Sequence, residues 1–352
     1  MNKPAVSRLG ITAAVSASIA ATLLLLFLTN ESPFQSFIYF FTGPFQNTFA
    51  FGNFLNTAFI LSLTGLGISV AFKGGYFNIG GEAQIYAGAL SAALVGAALY
   101  RWPGIVGIPV ILITAILTGA VIGGISGLLK ALWNVDELIS SFLISATFIP
   151  IIDFLISIPF RNPESYLMST KKLADQLHIW KFNIPSDNPF WRGLASSNLN
   201  FSLFIIVILM AAVWLIFRKT IYGYELRILG TNREFARYGG IRVKTYAVGV
   251  MAVSGGLHSL AGGLVVLGSQ HAAIQGMTAG LGWNGIAVAL IARNNPALIF
   301  PAALIFAYIE AGTRSAMIFS NFDFEFSAII QAAVFFLVTA GKLGSLKRRS
   351  GK

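Results

Sequence analysis

The chain of 352 residues contains no cysteine, and its histidines number three. Without cysteine there is no disulfide scaffold, no thiolate metal site and no cysteine nucleophile. Charge is scarce as well. Asp, Glu, Lys and Arg together make 11% of the residues, against about 25% in an ordinary soluble domain. A chain so poor in charge cannot cover itself with polar surface in water, which excludes a soluble fold. No G-x-x-x-x-G-K-[ST] occurs, so the chain does not bind ATP through a P-loop. The histidines are scattered and form no H-E-x-x-H pair, and there is no G-x-S-x-G nucleophile elbow. Nothing in the sequence supports an enzyme, a bound cofactor or a metal site.

What the chain has in quantity is apolar length. It is 56% hydrophobic with a mean hydropathy of +0.75, and 30 of its residues are Phe. A membrane-spanning helix takes about 20 mainly apolar residues. Charge-free or nearly charge-free stretches occur at 9–29, within 32–72, and at 83–100, 102–129, 138–158 and 193–217. A run of 48 residues, 245–292, contains no charge beyond two histidines, which is enough for two helices around a Gly-rich interruption. Further stretches at 294–318 and 326–341 complete an expectation of about ten helices, an all-α membrane protein in a single transmembrane domain over 1–352.

Lys3 and Arg8 precede the first apolar run. That run is longer than a signal-peptide core, and no small-residue cleavage site follows it. It reads as a retained helix with its N-terminus in the cytoplasm, and an even number of helices returns the C-terminus to the same side. The net charge of +11 then acquires a meaning. On this topology all but seven of the 24 basic residues (Arg101, Arg161, Lys171, Lys172, Lys181, Arg192 and Arg314) fall inside, as the positive-inside rule requires. The partner of this charge is therefore the membrane lipid and not nucleic acid. Residues 159–200 form the one long outer segment, with two Trp and several Pro, Asn and Ser, and read as a small structured cap.

Polar residues and glycines inside the apolar run mark the candidate site. Residues 73–84, KGGYFNIGGEAQ, combine four glycines with Asn78, Glu82 and Gln84. Irregular backbone persists at membrane depth only where protein or a water-filled cavity satisfies it, so an interrupted helix with polar side chains is a candidate for a solute pathway. The competing reading is a plain cytoplasmic turn with Glu82 among the lipid headgroups. Residues 268–284, GSQHAAIQGMTAGLGWN, make a second interruption roughly 190 residues later, and paired interruptions in two halves of a transporter point to a site between them. His271 reads either as a pathway residue or as a locally satisfied histidine. Glu310 and Arg314 stand i,i+4 in the order that favours an ion pair, and Asp153 reads as interfacial. If Glu82 or Glu310 coupled ions, the chain would be a self-sufficient secondary transporter. Gly119, Gly123 and Gly127, with Gly255, Ser259 and Gly263, form small-residue stripes that allow close helix packing.

On the inner side, residues 225–244 are the longest polar stretch. Gly230 and Gly239–Gly240 bracket TNREFARY, where Thr231 or Asn232 caps a short helix and Glu234 completes a capping box with Thr231. The expected product is an exposed helix of about two turns carrying Arg233, Phe235, Arg237 and Tyr238, suited to docking a partner. A basic loop that only fixes topology, or a membrane scaffold without transport, are the other readings.

These segments carry a resemblance. GYFNIGGEAQIYAG, LGTNREFARYGGI and GMTAGLGWNGIAVALIARNNP resemble the permease subunits of binding-protein-dependent ATP-binding-cassette importers, closest to the simple-sugar and nucleoside permeases and related to the ribose and branched-chain amino acid permeases. The likeness spans about 53–341. It departs at Ala83, where the family usually has Gly. It implies a type II importer-like bundle in the bacterial inner membrane, working with two ATPase subunits that bind the ATP, an extracytoplasmic substrate-binding lipoprotein and a second, shorter permease in a heterodimer. It implies Phe77, Asn78, Glu82, Gln84, Trp283 and Asn284 as pathway and gate residues. Thr231, Asn232, Arg233, Glu234, Phe235, Ala236, Arg237, Tyr238 and Gly239 would be the helix that the ATPases grip. A nucleoside-like solute is implied, with riboflavin or a simple sugar as alternatives.

Overall fold

A computed structural model describes residues 33–183 and 187–320, together with Ile329. The expected first and last spans, 9–29 and 326–341, lie outside the described residues apart from that isoleucine. The described residues are helical, with two isolated bridges and no strand. In chain order the helices are α1 (Pro33–Thr42), α2 (Thr48–Lys73), α3 (Gly81–Ala98), α4 (Gly104–Trp133), α5 (Glu137–Ser157), α6 (Pro189–Ser196), α7 (Ser202–Lys219), α8 (Ile221–Thr231), α9 (Arg233–Tyr238), α10 (Val243–Val265), α11 (Leu281–Ile291) and α12 (Pro296–Phe319). A π-helical turn, Val266–Gln270, continues α10. Among the described residues six helices are long and apolar enough to cross a membrane: α2, α4, α5, α7, α10 with its π turn, and α12.

The helix starts follow from local chemistry. Asn47 accepts the Ala50 N–H at 2.8 Å and opens α2. Asp136 accepts the Leu138 N–H at 2.9 Å and opens α5. Asn295 caps α12, with Pro296 at its first position. Each supplies an acceptor to N–H groups that the helix itself leaves unpaired.

Helices α2, α3 and α10 form the interior, and residues 81–90 of α3 are buried throughout. The apolar stretch of α2 is 78% buried and that of α10 83%. Those of α4, α5 and α7 are buried by only 22–28% and present Ile113, Leu117, Val121, Phe154 and Ile208 outward. In a bilayer such faces meet acyl chains. The two small-residue stripes pack against each other: a Cβ on Gly119 would lie 2.2 Å from the Gly255 carbonyl oxygen, and one on Gly123 2.4 Å from that of Met251. The α4 and α10 backbones are thus in direct contact, which only glycine permits.

The two interruptions are shorter than the sequence suggested. Irregular backbone covers 74–80 and 271–280. Gly81–Gln84 already form the first turn of α3, Gly268–Gln270 belong to the π turn, and Leu281–Asn284 form the first turn of α11. The polar segment 225–244 also differs from expectation. Gly230 does not break a helix but lies within α8, where it lets the chain approach Lys73, since a Cβ there would sit 2.3 Å from the Lys73 carbonyl oxygen. Thr231 closes α8 and bonds back to the Arg227 carbonyl at 2.8 Å. Asn232 alone caps α9, accepting the Phe235 N–H at 3.0 Å, so the Thr231–Glu234 capping box does not form.

Candidate functional site

The interruptions meet. Glu82, in the first turn of α3, is 7% exposed. Its Oε1 accepts the Gly280 N–H at 2.9 Å and its Oε2 accepts the Gly282 N–H at 2.7 Å. One carboxylate therefore lies at the N-termini of two helices, its own and α11, where orphan N–H groups and the positive dipole ends favour an anion. Glycine is required opposite it, because a Cβ on Gly282 would come within 2.3 Å of the Glu82 nitrogen. One turn further along α3, the Tyr86 hydroxyl donates to Asp153 at 2.5 Å and accepts the Gly276 N–H at 3.0 Å. The second interruption is thus fastened to α3 at two points.

Helix α11 is short. Its 11 residues span only about 16 Å, roughly half of a hydrocarbon core. The irregular stretch 271–280 lies between this short helix and the end of the span Val243–Gln270. Its backbone groups find partners, as buried ones must: besides Glu82 and Tyr86, they pair with residues 168–173. The Thr170 N–H donates to the Ala273 carbonyl at 2.9 Å, Leu173 to His271 at 2.8 Å and Gln275 to Met168 at 2.9 Å. The His271 ring stacks on His178 with centroids 3.7 Å apart. Burial, with a smaller contribution from His178, pulls the His271 pKa down to about 4.

The first interruption is held by a buried polar network. The amides of Asn78 and Gln84 face each other at 2.9 and 3.2 Å, and Asn78 also donates to Ser254 at 2.9 Å. His258 bridges Gln84 Oε1 at 2.9 Å and the Thr64 carbonyl at 3.1 Å. From α5, the Ser141 hydroxyl accepts the Ile79 N–H at 3.1 Å and that of Ser145 accepts the Ala83 N–H at 3.2 Å. Around this network three aromatic rings are exposed: Phe77, Phe142 and Trp283. The Phe142 and Trp283 centroids are 6.3 Å apart.

At its N-terminal end the first interruption is tied to α9. The Arg233 guanidinium donates to the Gly75 carbonyl, forms a 3.1 Å ion pair with Glu137, and lies 4.5 Å above the Tyr76 ring. Glu137 also pairs with Lys130 at 3.1 Å and is almost fully enclosed. Burial raises the Tyr76 pKa above its ordinary value, and its hydroxyl donates to the Val243 carbonyl at 3.1 Å.

A family profile described as the permease component of branched-chain amino acid transport systems matches residues 50–339. The chain belongs to this family. As a permease it is a membrane translocation component and not an enzyme. It is 29% identical to the probable riboflavin import permease protein RfuC of Treponema pallidum over 331 residues, covering 93% of this chain and 84% of the relative. It is also 29% identical to the guanosine ABC transporter permease protein NupP of Bacillus subtilis over 344 residues, covering 96% and 95%. With the glucose ABC transporter permease protein TsgB13 of Haloferax volcanii it shares 27% over 335 residues, covering 93% and 86%. No solved structure matches it.

In this permease the residues singled out from sequence fall into separate environments. Asn78, Glu82 and Gln84 are buried and join the two interruptions to their surroundings. Phe77 and Trp283 are exposed and Asn284 partly so. Glu82 is enclosed by protein and held by the Gly280 and Gly282 N–H groups, where a plain exposed turn would leave it open. On α9, Phe235, Arg237 and Tyr238 are exposed, Ala236 is fully buried, and Glu234 pairs with Arg237 at 3.8 Å. Arg233 departs from the expected exposed face by turning inward to Gly75 and Glu137. Asp153, expected at an interface, serves Tyr86. Glu310 and Arg314 do pair, at 3.2 Å. Sequence reasoning passed over Tyr86, Glu137, Ser141, Ser145 and His258. A rule that every ionisable or histidine side chain within an apolar stretch needs a named partner would have flagged His258 and Glu137. The serines carry no such signal.

Proposed function

We propose that this permease is the membrane subunit of a binding-protein-dependent ATP-binding-cassette importer for a nucleoside-like solute, in a heterodimer with a second permease. ATP is bound by separate ATPase subunits, and a substrate-binding lipoprotein delivers the solute from outside. The protein lies in a bacterial inner membrane with ten spans and both termini cytoplasmic. The observation that carries this reading is the double hydrogen bond of Glu82, which joins two interrupted helices at membrane depth. One interruption is tied on its far side to α9 and the other to the outer segment. Such a chain of contacts suits a machine that converts movement at one face into opening at the other. Phe77, Phe142 and Trp283 line the solute's route beside this junction, where aromatic faces suit a nucleobase. The nucleoside assignment draws on the guanosine relative, which is covered almost end to end; the riboflavin and glucose relatives keep those solutes as the alternatives. An ion-coupled transporter finds less support, because Glu82 engages two N–H groups and Glu310 engages Arg314.

Reconstitution in vesicles tests the proposal. Uptake of labelled guanosine should require both the ATPase and the binding protein, and unlabelled nucleoside should compete better than riboflavin or glucose. Accumulation driven by an ion gradient through the purified chain alone would refute it.

A further inference from the structure

At the end of the molecule that carries α8 and α9, a cavity of about 260 Å³ opens between the C-termini of α2 and α7, α8, and the N-terminus of α12. That is well above the ~15 Å³ that one water needs. Lys73, Arg218 and Arg227 line it, together with Asn294, Asn295 and Pro296. No carboxylate does. The acids on this face are all engaged elsewhere: Asp136 caps α5, Glu137 takes Lys130 and Arg233, Glu225 accepts the Tyr246 hydroxyl and Glu234 faces Arg237. Among the described residues none of the three lining cations has an ion-pair partner. Arg218 lies 5.1 Å over the Trp214 ring, which sets its position, and the Arg227 guanidinium donates to the Phe217 carbonyl.

A cation near a helix C-terminus is favoured by the dipole, and this accounts for Lys73 or Arg218 taken singly. It does not account for three cations from three helices converging on one cavity, opposite the positive N-terminal end of a fourth. Asn294 adds a second requirement: its side-chain oxygen is buried there without a hydrogen-bond partner. The site therefore asks for an anion that also carries a donor.

We propose that this cavity binds the headgroup of an anionic phospholipid of phosphatidylglycerol type, with the phosphate among Lys73, Arg218 and Arg227 and a glycerol hydroxyl on Asn294. Basic pockets between spanning helices at the cytoplasmic side are suited to such headgroups, and the neighbouring exposed Leu215 and Ile216 of α7 give the acyl chains an apolar surface. Because Lys73 ends α2 at the first interruption, and Arg227 lies one turn before Gly230, an occupied site would brace the base of that interruption. The proposal rests on the orientation given above only for the leaflet that supplies the lipid.

The test is lipid retention by the purified full-length chain, read by native mass spectrometry after exchange into phosphatidylglycerol or phosphatidylcholine. The chain should keep phosphatidylglycerol selectively. Lys73→Gln and Arg218→Gln should each weaken retention roughly fivefold, and the pair on the order of thirtyfold. Lys219→Gln, a cation beside Arg218 that does not line the cavity, should change nothing. Equal retention of both lipids, or an equal loss in Lys219→Gln, would overturn the site. A second arm adds inorganic phosphate to the chain in pure phosphatidylcholine nanodiscs. A rise in melting temperature that the double variant lacks would keep the anion site and assign it to free phosphate. Neither arm measures transport, so the result is independent of the importer reading.

Discussion

Glu82 shows what a single residue contributes. Hydrogen bonds to a charged acceptor are worth about 1.5–3 kcal/mol each, and Glu82 makes two, both to backbone N–H groups of the other half of the chain. Glu82→Gln keeps the shape but replaces one acceptor with an NH2 that faces an N–H. We expect a loss of about 1.5–3 kcal/mol in stability, seen as a lower melting temperature in detergent, together with impaired uptake. A variant that melts and transports like the parent would show that the clamp is dispensable. The importance of Glu82 could be read from sequence, because a carboxylate in a Gly-rich apolar stretch has to be satisfied. Its partners could not be: Gly280 and Gly282 are 198 and 200 residues away, and a glycine N–H leaves no trace in the letters. The same distance hid the bond between Asn78 and Ser254, separated by 176 residues.

At the scale of elements, most helices were legible because apolar length and charge are local. The interrupted helices were also located, but their edges were drawn too wide, since a glycine at a helix start looks in sequence like a glycine in a loop. The fastening of 168–173 to 271–275 was invisible, as backbone pairing between irregular stretches has no side-chain signature. That fastening has a pH dependence. His271 has a folded-state pKa of about 4, below its ordinary value near 6.5. A depressed value means that the loosened state binds the proton better, so the contribution is complete above pH 6.5 and is lost as pH falls toward 4. His178, Lys172 and Lys181 reinforce the depression and Asp175 opposes it. Hydrogen exchange at the Leu173 and Ile179 amides, corrected for intrinsic chemistry, should be faster at pH 5 than at pH 7, and His271→Phe should remove the difference. Protection that is equal at both pH values would contradict the sign.

For the whole molecule, the proposed docking places the entry of outside force at α9. Phe235, Arg237 and Tyr238 are exposed while Arg233 and Ala236 face inward, so on the proposed docking a push on the exposed side would reach Gly75 through Arg233. Arg237→Ala with Tyr238→Ala should leave the fold intact and yet lower the uptake obtained per ATP hydrolysed by the reconstituted complex, by on the order of tenfold if about 1.4 kcal/mol of contact is lost. A preserved ratio would place the docking elsewhere. The transport class was legible from sequence at this scale because it rests on composition and on three motif segments. The inward turn of Arg233 was not, because it depends on Glu137 arriving from a different helix.

The glycine contact between α4 and α10 has a mechanical corollary. Where carbonyl oxygens of one backbone fill the places of missing side chains on the other, neither rod can slide or roll without colliding with its neighbour. These two must therefore travel together, as a stiff beam. In the proposed transport cycle, any rearrangement that opens the interior first to one aqueous compartment and then to the other would carry this pair as one body and fall on the contacts around it, such as the serine hydrogen bonds from α5 to the first interruption.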